Sequence, residues 1–374
     1  MAGIYVHIPF CKSRCIYCDF FSTTDLAYAD RYIRAVAAEA RLRRGELGDE
    51  PVRTLYWGGG TPSQLSLNRL TALRASLAEV FSLADVQEFT VEVNPDDVTA
   101  ELAATLRQMG VNRVSMGVQS FVDAELRFMQ RRHDAEGARR AVSLLRQAGI
   151  ANISIDLIYG IPGQTMASWQ YSLREALALH PQHISAYSLT YEVRTHLWHM
   201  REKGEITELP EELCVEMFRT LIATLRAANY EHYEISNFAL PNFYSRHNSA
   251  YWDGTPYLGL GAAAHSFDGN VRRANPTSLR RYFDAVEAGH TAFTEERVNR
   301  WEKYDEYVML GLRTARGVDA DRIRRDFGQE AYDHFAHGAK PHLADGLLRR
   351  DGARYTLTAD GIMLADAVIR DLFY

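Results

Sequence analysis

Cysteine is scarce in this chain, with four among 374 residues. Three of the four are clustered, so a disulfide framework is excluded as the source of stability, and free thiols point to a reducing, cytoplasmic setting. No apolar run reaches the ~18 residues that would cross a bilayer. The N-terminus lacks a basic start followed by an apolar stretch and a cleavage site, so no secretory signal is read there. Positive charge is in deficit: 42 Lys and Arg against 48 Asp and Glu leave a formal charge of −6, which argues against a general nucleic-acid binder. There is no internal repeat and no low-complexity tract. The remaining composition, 47% apolar and 24% charged, is that of an ordinary globular protein. The length allows one large domain and a smaller one.

Cys11, Cys15 and Cys18 are spaced C-x3-C-x2-C in the run GIYVHIPFCKSRCIYCDFF. Three thiolates are one ligand short of a closed tetrahedral zinc site. A cubane iron–sulfur cluster held by three cysteines leaves one iron open to a substrate or cofactor. The alternative is a Cys3His zinc site with His7 as fourth ligand. The remaining Cys214 lies in a helical pattern over 211–229 with Leu213, Met217, Leu221 and Leu225 on one face, and reads as a small buried thiol.

Residues 1–240 alternate short β-like runs with amphipathic helices, the pattern of a parallel α/β domain. Strands are predicted at 3–8, 52–57, 89–93, 113–118, 152–158 and 184–189. Leu67, Leu70, Leu73, Leu77 and Val80 mark one helix face, and Met109-Gly110 and Ala148-Gly149 mark helix stops. The strand ends carry the chemistry. The first enters the cysteine loop, and the second enters Gly58-Gly59-Gly60-Thr61-Pro62. The third carries Glu92 and then Asn94-Pro95, the fourth ends at Gln119, and the fifth contains Asp156 before Gly160-Ile161-Pro162-Gly163. In a β/α barrel, function gathers at the C-terminal mouth of the strands. Any one of these residues is most simply a strand terminator; five in register beside a cysteine cluster suggest a site. Residues 241–283 form a connecting segment rich in aromatics, glycine and histidine, too irregular to assign. Residues 284–374 read as a charged, mainly helical C-terminal domain, with helices near 319–327 and 361–372 around a small hairpin at 347–357.

The run YxHIPFCxxxCxYC resembles the signature of radical S-adenosylmethionine (SAM) enzymes, in particular the coproporphyrinogen-oxidase-like branch. GGGTPS, VEVNP, SMGVQSF and SIDLIYGIPGQT follow in that branch's order, so the resemblance covers essentially the whole chain. It implies a partial (β/α)6 barrel with a smaller C-terminal domain. The branch contains HemN-type oxygen-independent coproporphyrinogen III oxidases and HemW-type heme chaperones. HemN-type sequences carry another cysteine two residues after the third, whereas Cys18 here is followed by Asp19-Phe20. They also have an extension before the first strand, and this chain starts at that strand. Arg246-His247-Asn248-Ser249-Ala250-Tyr251-Trp252 resembles the HNxxYW motif associated with heme in HemW proteins. One departure is Ala262-Ala263-Ala264, where relatives often have glycine.

The resemblance implies that Cys11, Cys15 and Cys18 hold a [4Fe–4S] cluster whose fourth iron binds SAM. Gly59, Gly60 and Thr61 would meet the methionine end of SAM. Glu92, Gln119, Arg131 and Asp156 would contact its methionine and ribose portions, with Arg132 able to replace Arg131. Tyr5 and Tyr17 would border the cluster and adenine. His247 would ligate heme iron, Arg246 would pair a propionate, and Tyr251 and Trp252 would pack on the macrocycle. The same run could instead cap a helix, with Asn248 as N-cap. The implied function is heme binding and delivery to an acceptor, plausibly a respiratory enzyme reached at the membrane through that partner. A one-electron donor and a homodimer are further implied partners. The alternative is radical oxidative decarboxylation of coproporphyrinogen III propionates to vinyl groups. SAM-cleaving capacity belongs to both, so whether the chain is an enzyme stays open.

Overall fold

In the computed structural model, which describes residues 2–374, the six predicted strands are present. They are β1 (Ala2–Ile8), β2 (Val52–Gly59), β3 (Glu88–Val93), β4 (Arg113–Gln119), β5 (Asn152–Tyr159) and β6 (His183–Ser188). They lie side by side in that order and all run parallel. The intervening helices are α1 (Ala29–Leu42), α2 (Leu67–Val80), α3 (Ala100–Gln108), α4 (Asp123–Phe128), α5 (Ala135–Gln147) and α6 (Met166–Ala178), with α7 (His196–Glu202) and α8 (Glu211–Ala227) after β6. The leucine face of α2 is buried through Leu70, Leu73 and Leu77. Gly110 and Gly149 follow α3 and α5 at φ +91° and +85°, the left-handed conformation that ends a helix.

Strand parity positions the site. Ile4, Val6 and Ile8, Leu55 and Trp57, Val91 and Val93, Val114 and Met116, and Ile155 and Leu157 are buried in one apolar core with the helices. The alternate positions are polar: Tyr5 and His7, Thr54 and Tyr56, Thr90 and Glu92, Arg113 and Ser115, Ser154 and Asp156, His183 and Ser185. With a side-chain period of two, these face the other side of the sheet, into the barrel lumen. A β/α barrel lumen is usually filled by branched aliphatics. This one is lined by hydrogen-bonding groups.

The barrel is partial, because the sheet stays open. β7 (Glu231–Glu234) and β8 (Asn237–Ala239) add to one edge, antiparallel. The irregular segment then forms α9 (Arg246–Asp253), β9 (Tyr257–Leu260), β10 (His265–Phe267) and β11 (Val271–Ala274). β9 pairs parallel to β1, and β10, β11 and β12 (Thr294–Arg297) continue that edge. The result, among the described residues, is twelve strands in one sheet. Between β11 and β12, α10 (Leu279–Glu287) buries Tyr282 and Phe283 in the barrel core.

A second core joins Tyr304, Val308, Ile323, Phe335, Val368 and Leu372. It belongs to α11 (Arg300–Leu312), α12 (Ala320–Ala344) and α14 (Ala365–Arg370), with a small sheet of β13 (Val318–Asp319), β14 (Leu348–Asp351) and β15 (Arg354–Leu357), while α13 (Ala359–Met363) packs Ile362 and Met363 against the barrel core. The helix predicted at 319–327 runs on to Ala344 across a break at Gly328, where φ is +86°. Among the described residues no helix is long and apolar enough to cross a membrane.

Candidate functional site

A cavity of about 600 Å³ opens at the C-terminal mouth of β1–β6. Its lining includes Cys11, Cys15 and Cys18, and with them Tyr17, Gly59, Gly60, Thr61, Glu92, Gln119, Arg131 and Asp156. All three cysteines and eight of the nine residues expected around SAM thus meet in one place; Tyr5 does not line it. All four cysteines are free.

The cysteine loop is tied down locally. The Cys11 N–H donates to Thr23 O at 2.9 Å, and the Thr23 N–H donates to Pro9 O at 2.7 Å. Burial pushes the Cys11 thiol up, and pushes Cys18 up to about 11. Cationic help comes from Arg131, whose Nη1 donates to Cys15 Sγ at 3.4 Å. Among the described residues no three His, Cys, Asp or Glu side chains converge on a point that one metal ion could occupy. His7 is also engaged, sharing hydrogen bonds from Nδ1 with Tyr5 Oη at 3.1 Å and from Nε2 with Phe21 O at 2.9 Å. Neither nitrogen is left for zinc. Three thiols on one wall of a roomy cavity fit a polynuclear cluster better than a single tetrahedral ion.

The glycines of the second strand end serve packing as well as the cavity. A Cβ at Gly59 would lie 2.5 Å from the His7 ring, and one at Gly60 would lie 2.7 Å from the Pro9 carbonyl carbon. Their N–H groups are used internally, Gly59 to Glu92 Oε2 at 3.0 Å and Gly60 to Ile8 O at 2.9 Å. Glu92 also accepts from Tyr56 Oη at 2.7 Å. Burial pushes its carboxyl up to about 7, and pushes Asp156, which accepts from Ser115 Oγ at 3.3 Å, up to about 6. Gln119 sits at φ +69° beside a register slip between Gly117 and Gln119, and the bulge aims its side chain into the cavity. Arg131 bonds Asn94 Oδ1 at 2.6 Å and Gly117 O at 2.5 Å. Its neighbour Arg132 instead pairs Asp96 and Asp97 at 2.6 and 3.0 Å, and does not line the cavity.

The residues expected around heme lie away from this cavity. His247 is 1% exposed. Its Nδ1 shares a hydrogen bond with Thr54 Oγ1 at 2.8 Å and its Nε2 one with Tyr251 Oη at 2.9 Å. Thr54 pairs in register with Gly3, near the start of β1, so His247 plugs the N-terminal end of the lumen, opposite the cysteines. Burial lowers its pKa to about 3, so it stays neutral. Arg246 is held by Gln87, and Trp252 lies under the guanidinium of Arg313, the C-cap of α11. Both ring nitrogens of His247 are thus engaged within the protein. The N-cap of α9 is Ser245, which accepts from the Asn248 N–H, not Asn248 itself. Tyr5 is likewise a lumen residue, tilted against Tyr56 and stacked near His247. The expected result of His247→Ala is a loss of about 2–4 kcal/mol in denaturant unfolding, from a buried threonine and tyrosine left unpaired. A heme titration of the folded variant should be unchanged.

Sequence reasoning singled out Asn94 as a strand-end residue but missed Ser115, Gly117 and Tyr187 in the cavity wall, and Tyr56 and Arg113 beneath it. The available signal was parity: Arg113, Ser115 and Gly117 share the strand face that ends in Gln119.

Comparison with known proteins follows this geometry. Residues 5–176 match the radical SAM superfamily, and residues 298–364 match the HemN C-terminal domain. The solved structure titled coproporphyrinogen III oxidase (HemN) from Escherichia coli superposes with a TM-score of 0.87 at 27% identity, covering 100% of this chain and 90% of that one. The fold with the cavity at its barrel mouth is thus that of a radical SAM protein. The protein named heme chaperone HemW of Bacillus subtilis is 34% identical over 98% of both chains. That of Mycobacterium tuberculosis is 34% identical, covering 99% of this chain and 94% of its own. The mouse protein named radical S-adenosyl methionine domain-containing protein 1, mitochondrial, is 31% identical, covering 99% and 87%. The chain belongs to the HemW family of the radical SAM superfamily.

Proposed function

We propose that this chain binds heme and delivers it to an acceptor protein, while holding a [4Fe–4S] cluster and SAM at the barrel mouth. The observation that carries the reading is 34% identity over 98% of both chains to a relative named heme chaperone. Cys11, Cys15 and Cys18 would hold the cluster. Gly59, Gly60, Thr61, Glu92, Gln119, Arg131, Asp156 and Tyr17 would hold SAM. When bound, the cluster and SAM supply one-electron chemistry. The chain's own part is electrostatic. Arg131 places a guanidinium N–H against the Cys15 sulfur, a donor aimed at a ligand atom. Glu92 and Asp156 offer carboxylate acceptors at the cavity floor to hydroxyl and ammonium donors. Heme is proposed without His247 as its ligand. A respiratory acceptor and a one-electron donor complete the proposal.

A second reading, oxidative decarboxylation of a coproporphyrinogen, is favoured by the 0.87 superposition on a HemN enzyme. One experiment separates them. Protein reconstituted anaerobically with iron and sulfide is given coproporphyrinogen III, SAM and reductant in one tube, and heme in another. Stoichiometric heme binding without decarboxylation is expected. Formation of vinyl product would overturn the chaperone reading.

A further inference from the structure

Arg113 opens β4 on the lumen face and is 1% exposed, among the largest fully buried side chains. Its Nε and Nη1 have no hydrogen-bond partner among the described residues, and neither has Thr90 Oγ1, its register neighbour on β3. A buried guanidinium without a bound carboxylate is costly, so it needs compensation through the lumen. Two residues up the same face, Ser115 bonds Asp156 and stands in register with Glu92. Arg113 therefore lies one layer beneath the two carboxylates at the cavity floor. It is felt electrostatically by both, as well as by His183, His247 and Tyr56.

We propose that Arg113 is a positioning residue: a fixed positive charge under the cavity floor that keeps Glu92 and Asp156 ionised and ready to accept hydrogen bonds from SAM. The inference rests on the SAM site proposed above.

The other groups facing this pair do not supply that charge. Burial lowers His183 (β6), His247 (α9) and His7 (β1), favouring neutral rings. Burial raises Tyr5, Tyr56, Tyr187, Tyr233 and Tyr251, so the phenols are neutral too. Glu234, beyond β6, is itself a carboxyl raised by burial. That leaves Arg131 from above, already shared among Cys15, Asn94 and Gly117, and Arg113 from below.

The test is SAM affinity of reconstituted protein by equilibrium dialysis from pH 6.5 to 9, for wild type, Arg113→Met and Arg113→Lys. Losing the charge moves carboxylate ionisation to higher pH. Arg113→Met should bind at least about tenfold more weakly near pH 7, matching an upward shift of about one pKa unit. The deficit should shrink towards pH 9, and Arg113→Lys should recover much of the affinity. Unchanged binding, or a loss equal at every pH, would overturn the proposal. If Arg113→Met does not fold, Arg113→Gln keeps polar contact without charge and is judged by the same profile. Failure of wild type to bind SAM at all would instead refute the SAM site.

Discussion

Replacing Cys15 by alanine is expected to abolish the visible iron–sulfur absorbance of reconstituted protein and reduce bound iron to background. Each of the three cysteines has no substitute. The only other thiol, Cys214, sits on α8 behind the end of β5, 3.5 Å from where a Gly160 Cβ would be, and does not line the cavity. No histidine lines it either, and His7 is committed to Tyr5 and Phe21. Cys15 is partly exposed on a loop, so the apo variant should unfold within about 1 kcal/mol of wild type. That combination, a lost chromophore on an intact fold, separates a ligand from a structural thiol. SAM binding should vanish in parallel. Full iron retention in the variant would dismiss the cluster assignment.

Glu92→Gln carries the second large effect, with opposite signs on binding and stability. The Glu92 carboxyl is pushed by burial from an ordinary 4.5 to about 7, with Asp156 nearby also raised. A carboxyl whose folded pKa is raised binds more protons in the native state between those values. Its contribution to stability is therefore lost as pH rises from about 4.5 through 7. Above pH 7 the ionised carboxylate is a burden that the fold carries. Glutamine keeps the shape: its oxygen can accept from the Gly59 N–H, and its amide can donate to Tyr56 Oη. At pH 8 the apo variant should gain about 1–3 kcal/mol in urea unfolding, and at pH 5 the gain should shrink towards zero. SAM affinity should fall roughly tenfold to a hundredfold, the worth of a charge-assisted hydrogen bond. Wild-type SAM binding should also weaken as pH drops below about 7. A variant that binds SAM normally would remove Glu92 from the site. One that loses binding but gains no stability at pH 8 would show that its carboxylate is not strained when buried.

The cysteine loop, the six barrel strands and the polar residues at their ends were legible because their signals are short-range. Spacing, strand parity and turn glycines all act within a few residues, and a parallel sheet then brings every strand's C-terminal end to one mouth. Gln119, Glu92 and Asp156 converge for that reason alone. His247 shows where such reasoning stops. Its motif is local, but its location depends on a chain segment returning across the barrel, 193 residues after Thr54, to close the lumen from below. Nothing in Arg-His-Asn-Ser-Ala-Tyr-Trp states which end of a barrel it will reach. Arg113 is similar: its parity could be read, but not that its guanidinium would find no partner at its own level. By itself, the sequence determined the fold class, the thiol cluster and the strand-end chemistry. Tertiary structure decided which histidine is a plug, which of two adjacent arginines enters the cavity and which charge lies beneath it, because burial and long-range pairing exist only once the sheet has curved.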